Sequence, residues 1–199
     1  MIEITPGKID GVRVLRPTAQ CDPRGRFVKT IQKDTFSKHG IPTTFAEQYY
    51  SVSANNVLRG LHFQTPPHDH YKLVTCVEGE VFDVAVDLRR GSRTYGHHQS
   101  FELNGSRGDS VFVPSGCAHG FYVRSKIAIM LYNVSSLYVA SHDTGIRWDS
   151  VAVSWPCSSP VVSDRDAALV PFAEFDTPFV SSSGTCAPQE AARRSVSRI

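Results

Sequence analysis

The sequence predicts an all-β protein, an antiparallel sandwich or barrel. Three observations carry that expectation. Short apolar or aromatic runs recur at near-regular spacing through residues 71–138, separated by turns rich in Gly, Pro, Asn and Asp. Residues 81–88 alternate with period two: Phe82, Val84, Val86 and Leu88 share one face, and Val81, Asp83, Ala85 and Asp87 the other. Helical signals are confined to two brief stretches, 33–39 and 163–169.

Taken in order, residues 11–15 and 27–31 are β-like and flank the turn Cys21-Asp22-Pro23-Arg24-Gly25. The helix at 33–39 is ended by Gly40 and Pro42, and the aromatic run 45–53 is a strand. Residues 58–63 are extended until Pro66-Pro67 breaks them. On such a strand Arg59 and His62 point to opposite faces unless a bulge intervenes. A hairpin follows, 71–77 and 81–88 around Glu78-Gly79-Glu80; then come a strand at 97–103, a Gly/Ser loop at 104–109 and strands within 110–114 and 121–138. Residues 114–121, with His119, form a Gly-flanked turn between strands. The stretch 139–162 is irregular and anchored by Trp148, Trp155 and Pro156. Ser163 caps the second short helix with Asp166 at its third position. Residues 1–180 are expected to form one domain, and the small, polar stretch 181–199 a disordered tail.

A chain of 199 residues with 41% hydrophobic content builds one substantial core. A formal charge of +2 argues against nucleic acid as partner. No apolar run reaches membrane-spanning length and no signal peptide is evident, so neither a membrane nor export is expected. Cys21, Cys76, Cys117, Cys157 and Cys186 are odd in number, scattered and without C-x-x-C spacing, which predicts reduced thiols in the cytoplasm. Cys117 lies near the chemistry below but reads as a buried core residue.

The chemistry gathers in V-L-R-G-L-H-F-Q-T-P-P-H-D-H-Y-K-L, which places Arg59, His62, His68, His70 and Lys72 within seventeen positions. A base beside two cations suits an anionic substrate that loses a proton. Two readings follow. His68-x-His70 with Pro114-x-Gly-x-x-His119 resembles the two half-motifs of metal-binding cupins, and that metal site would draw on His62, His68, His70 and His119. The span after His70 supplies Lys72 and no carboxylate, and a lysine is repelled by a divalent ion, so no metal is expected. Proton abstraction uses the same residues better: His62 as base, Asp166 or Asp83 as its orienting carboxylate, Lys72 holding an enolate, and Tyr132 returning a proton.

With D-P-R-G-R-F (22–27), V-L-R-G-L-H-F-Q (57–64), K-L-V (72–74), G-E-V-F-D-V-A-V-D-L-R-R-G-S (79–92), P-S-G-C-A-H-G-F (114–121), G-I-R-W (145–148) and S-D-R-D (163–166), the chain resembles the dTDP-4-dehydrorhamnose 3,5-epimerase family. The resemblance implies a cupin-like jelly roll with short peripheral helices that inverts C3 and C5 of a nucleotide-diphosphate 4-keto-6-deoxy sugar without metal or cofactor. It implies His62 as base, Asp166 as partner carboxylate, Tyr132 as acid and Lys72 as enolate stabiliser. It implies Arg59 and His119 as substrate contacts, Tyr138 and Asp143 near the nucleotide, and a homodimer in which Arg24 and Phe27 line the partner's site. Lys29 stands where the family usually has glutamate, and Glu47-Gln48-Tyr49 replaces its Q-x-N. An ionised Glu47 only accepts hydrogen bonds, which favours a CDP- or GDP-linked sugar over a thymidine one. A mono-epimerase acting at C3 or C5 alone is the other alternative.

Overall fold

The computed structural model describes residues 1–181. The strands are β1 (Ile2–Pro6), β2 (Arg13–Pro17), β3 (Gln20–Asp22), β4 (Gly25–Phe27), β5 (Glu47–Ala54), β6 (Leu58–Gln64), β7 (Lys72–Glu78), β8 (Glu80–Asp87), β9 (His98–Asn104), β10 (Ser110–Val113), β11 (Cys117–Val123), β12 (Ile127–Val134) and β13 (Asp143–Gly145). A six-stranded sheet, β1-β2-β10-β7-β12-β5, faces a five-stranded sheet, β13-β6-β11-β8-β9, and β3 and β4 form a separate hairpin. The pairings within both sheets are antiparallel. The expected all-β, cupin-like jelly roll is the fold observed. The short helices α1 (Lys33–Lys38) and α2 (Asp164–Ala167) are peripheral.

The alternation in β8 explains how the sheets pack. Val81 and Ala85 enter the core between the sheets with Val74, Val111, Phe121 and Met130. Phe82, Val84 and Val86 turn outward, where the chain beyond β13 lays Trp148, Trp155, Phe172, Phe175 and Phe179 over them. The long irregular stretch is therefore a cover for an apolar sheet face. Asp83 and Asp87 are both fully buried on the inner side. Asp87 is satisfied by Arg89, Ser92 and Thr94, closing the turn after β8, while Asp83 belongs to the site below.

Five sequence expectations need revision. Residues 71–77 and 81–88 do not pair as a hairpin: β7 lies between β10 and β12 in the six-stranded sheet and β8 between β11 and β9 in the five-stranded one, so the turn at Gly79 carries the chain from one sheet to the other. Strand β1 was not foreseen: Ile2 and Ile4 pack on Leu15 and Phe112 while Glu3 faces out. Residues 27–31 do not form a strand, because Pro23-Arg24 closes a tight hairpin with Asp22 opposite Gly25 and pairing ends at Phe27. His119 lies inside β11, which is buried along its whole length; the turn is completed earlier, at Gly116, where φ is +81°. Residues 135–138 leave the strand, since β12 ends at Val134. Of the predicted tail, only Ser181 lies among the described residues.

The bulge left open by the sequence is present. His62 pairs with His119 and Arg59 with Phe121, so Gly60 and Leu61 oppose Gly120 alone and the register shifts between them. Gly60 has φ +138°, and a Cβ there would lie 2.6 Å from Gly120 Cα. Only two glycines allow this backbone approach. Gly60→Ala is expected to lower stability by about 1–3 kcal/mol and to cost more activity than that loss explains. Denaturant unfolding beside rate measurements checks this; an active variant of unchanged stability would refute it.

Candidate active site

Between the sheets opens a cleft of about 410 Å³. Strand β6 sends in Arg59, His62 and Gln64, brought to one side by the bulge, and β11 adds His119. From the facing sheet come Glu47, Tyr49 and Ser51 on β5, Lys72 on β7 and Tyr132 on β12. Tyr138, Asp143 and Arg165 close the rim.

His62 Nε2 lies 2.7 Å from Asp166 Oδ1. The other carboxylate oxygen accepts the Gly60 N–H at 3.1 Å, and the Asp166 N–H donates to Ser163 Oγ as the predicted cap. Burial opposes the charge on Asp166, but the His62 hydrogen bond and those from Gly60 and Ser163 outweigh it and hold the carboxyl below its ordinary range. An anchored carboxylate on Nε2 keeps the ring proton there and leaves Nδ1 as the basic nitrogen. Asp83, the other candidate carboxylate, serves a different ring: it takes His119 Nε2 at 2.8 Å. The two histidines thus sit opposite one another across β6 and β11, each with its own carboxylate.

Lys72 is almost completely buried, and its Nζ donates to the His62 carbonyl at 3.0 Å. Burial pulls its pKa down to about 8 against the opposing pull of Asp143 and Asp83. Tyr132 stacks on Tyr49 with centroids 4.9 Å apart and planes 18° from parallel. Burial raises its phenol well above the ordinary tyrosine value, so it is protonated at neutral pH. Burial pushes Tyr49 up to about 12 as well.

Arg59 is steadied by its Nε bond to Ser53 Oγ at 2.9 Å. Tyr138, 61% exposed at the mouth, donates its N–H to Glu47 Oε2 at 3.2 Å. Asp143 pairs with Arg165 at 2.6 Å. Arg24, Phe27 and Lys29 are not in this cleft; Arg24 and Phe27 belong to the β3–β4 hairpin, where Arg24 pairs with Asp22 and Phe27 is 63% exposed. Sequence reasoning passed over Arg165, Ser51 and Gln64 as site residues. Gln64 was signalled by its place two residues after His62, on the same strand face.

The metal alternative does not assemble. Among the described residues no three His, Cys, Asp or Glu side chains gather as ligands. His62 and His119 are committed to carboxylates, and His68 packs on the His142 ring, 4.6 Å between centroids. Cys117 is buried and its thiol pushed up to about 12 by that burial, which excludes it as nucleophile at neutral pH.

The chain is of the cupin-like jelly-roll class, and its interior, with a carboxylate-held histidine, a buried lysine and a buried tyrosine, has the groups that proton transfer needs. Its family follows from comparison with known proteins. Residues 6–174 match the family model for dTDP-4-dehydrorhamnose 3,5-epimerase, and the chain belongs to that family. It is 38% identical over 172 residues to the dTDP-4-dehydrorhamnose 3,5-epimerase of Salmonella typhimurium, covering 84% of this chain and 94% of the relative. It is 35% identical over 189 residues to the dTDP-4-dehydrorhamnose 3-epimerase of Streptomyces niveus, covering 93% and 91%. The crystal structure of dTDP-6-deoxy-D-glucose-3,5-epimerase from Legionella pneumophila in complex with dTDP-4-keto-L-rhamnose superposes with a TM-score of 0.86 at 33% identity, covering 92% of this chain and all of that one.

The Asp166 carboxyl binds its proton less readily in the folded chain than in the unfolded one, so its contribution to stability is present above the ordinary carboxylate range and is lost as pH falls through and below it. Asp166→Asn is expected to flatten that part of the acid limb. Urea midpoints for both proteins between pH 3 and 7 test this, and parallel curves would contradict it.

Proposed function

We propose that the chain is a homodimeric, metal-independent epimerase that inverts C3 and C5 of a dTDP-linked 4-keto-6-deoxyhexose, in deoxysugar and polysaccharide biosynthesis. The 4-keto group acidifies the C3 and C5 hydrogens. His62 Nδ1 removes one, the Lys72 ammonium holds the oxygen of the enolate in a dry site, and the Tyr132 phenol returns a proton. One observation carries the reading. His62 stands on the five-stranded sheet and Tyr132 on the six-stranded one, so base and acid approach a bound sugar ring from opposite walls. Inversion needs that arrangement, because the proton must leave one face and arrive at the other.

Arg59 and Arg165 at the cleft offer charge for the diphosphate, and Tyr138 an exposed ring for the base. The Tyr138 N–H occupies one oxygen of Glu47. That gives the carboxylate a partner within the protein and weakens the ground for preferring cytidine or guanosine, and the dTDP sugars named for the relatives support thymidine. Two features support the dimer. Among the described residues strand β5 is a free edge, and Tyr50, Val52, Val77 and Ile127 lie exposed on the outer side of its sheet. The β3–β4 hairpin presents Arg24 and Phe27, with Lys29 just beyond, away from their own cleft and available to a partner's. The domain would span 1–180 and work in the cytoplasm, where Cys21, Cys76, Cys117 and Cys157 stay free thiols.

In heavy water with a 4-keto-6-deoxyhexose linked to dTDP, CDP or GDP, wild-type enzyme should place deuterium at C3 and C5 of the thymidine sugar. Label at C3 alone would make it a mono-epimerase, and preference for CDP or GDP would overturn the base. His62→Ala should exchange neither carbon, and Asp166→Asn should lose roughly 10²–10⁴ in rate. Tyr132→Phe should still exchange yet give little inverted product; normal inversion would remove the phenol from the mechanism. Because Lys72 must be charged, and its charge is lost above about pH 8, kcat/KM should fall with an apparent pKa near 8. A profile flat to pH 10 would contradict its role.

A further inference from the structure

His70 is the half of the His68-x-His70 motif that the mechanism leaves unused, yet it lines the cleft. Its ring is held from one side. Nδ1 lies 3.1 Å from Gln64 Nε2 and 3.2 Å from Ser136 Oγ. The Gln64 amide has one orientation, since Oε1 accepts the Val139 N–H at 2.7 Å and Nε2 gives its two hydrogens to the nearer carbonyls of His68 and Leu137, at 3.0 and 3.1 Å, with Ser136 Oγ at 3.2 Å. Ser136 Oγ donates to the His68 carbonyl at 2.7 Å. With those hydrogens committed, Nδ1 carries the ring proton and gives it to Ser136 Oγ, which leaves Nε2 a lone pair. Nε2 is buried and has no hydrogen-bond partner among the described residues. Such orphans are rare in folded proteins and mark where a ligand's polar atom goes.

The ring is also neutral. Burial, with the Lys72 charge beside it, drives its pKa down to about 3. A neutral acceptor is suited to a hydroxyl, not to a phosphate or carboxylate. We propose, resting on the epimerase reading above, that His70 Nε2 accepts the 3-hydroxyl of the keto sugar and is a specificity residue for the carbon that carries it. The position follows from Lys72, which lines the same cleft close enough for its charge to act on the His70 ring. If Lys72 holds the 4-oxygen, the neighbouring carbons are C3 and C5. C5 bears a methyl group and the ring oxygen, so C3 alone offers a hydroxyl beside the 4-oxygen.

The test uses two variants and two ligands. In His70→Asn the amide reaches the place of Nδ1 and keeps the Gln64–Ser136 side supplied, but nothing replaces Nε2. In His70→Gln the longer amide reaches the place of Nε2. The ligands are the dTDP-linked 4-keto-6-deoxyhexose and its 3-deoxy analogue, measured by calorimetric Kd with dTDP alone as control, and the former also by KM and by deuterium uptake at C3 and C5. His70→Asn should weaken the 3-hydroxy sugar roughly five- to ten-fold, the worth of one hydrogen bond. It should leave dTDP and the 3-deoxy analogue near wild-type values and slow exchange at C3 more than at C5, and His70→Gln should recover most of the loss. Equal weakening of both sugars, or of dTDP, would mean that His70 only supports the loop and would overturn the proposal; so would unchanged binding of the 3-hydroxy sugar. Should wild-type enzyme exchange neither hydrogen, the epimerase reading fails, and the two Kd values still decide whether His70 reads the hydroxyl.

Discussion

Base, bulge and short helix are tied together through the two oxygens of one buried carboxylate, Asp166. One holds the His62 ring and the other the N–H of Gly60. The carboxylate itself is positioned by the Ser163 cap on α2, a helix too short to hold its place by propensity. The backbone distortion that turns Arg59 and His62 the same way is therefore fastened by the group that orients the base. Gly60 against Gly120 supplies the space for it, and any side chain at either position would push β6 from β11.

Around that fixed point the cleft sets charged groups against burial. Lys72, Asp83, His119 and Asp166 are buried. Each has a partner, carboxylate to imidazole twice and ammonium to a backbone carbonyl, but Asp83 keeps its Oδ1 buried without a hydrogen bond among the described residues. Full burial of Lys72 costs folding free energy and lowers its pKa, yet the same dry surroundings strengthen its charge toward any anion in the cleft. The phenol of Tyr132 experiences the opposite consequence of burial, remaining protonated and able to donate. Burial thus favours the neutral form of both groups, lowering the pKa of the lysine and raising that of the phenol.

The outer surfaces divide the remaining work. The face of the five-stranded sheet is covered by the chain's own aromatic residues, Trp148, Trp155, Phe172, Phe175 and Phe179. The far side of the six-stranded sheet is covered at one end by Phe36 and Ile41 against Ile2, Ile4, Leu15 and Phe112. Among the described residues that cover ends toward β5, and apolar side chains stand exposed beside an unpaired strand edge. An edge of this kind invites association.

Local pattern was enough for most of the fold and part of the site. Period-two alternation located β8 and assigned its two faces, Gly and Pro placed most turns, and Ser163 with Asp166 marked the cap, because these signals depend on neighbours a few residues apart. The resemblance added His62, Lys72, Tyr132 and Asp166 as one machine. Which carboxylate serves which histidine was open in the sequence, since Asp83 and Asp166 are both far from His62 along the chain; only pairing across β6, β8 and β11 assigns Asp83 to His119 and Asp166 to His62. The bulge, the partnership of Glu47 with the Tyr138 N–H, and the neutral, half-held ring of His70 were likewise decided by tertiary structure. Each depends on strand register and on how deeply a group lies from water, and neither quantity is written in the order of residues.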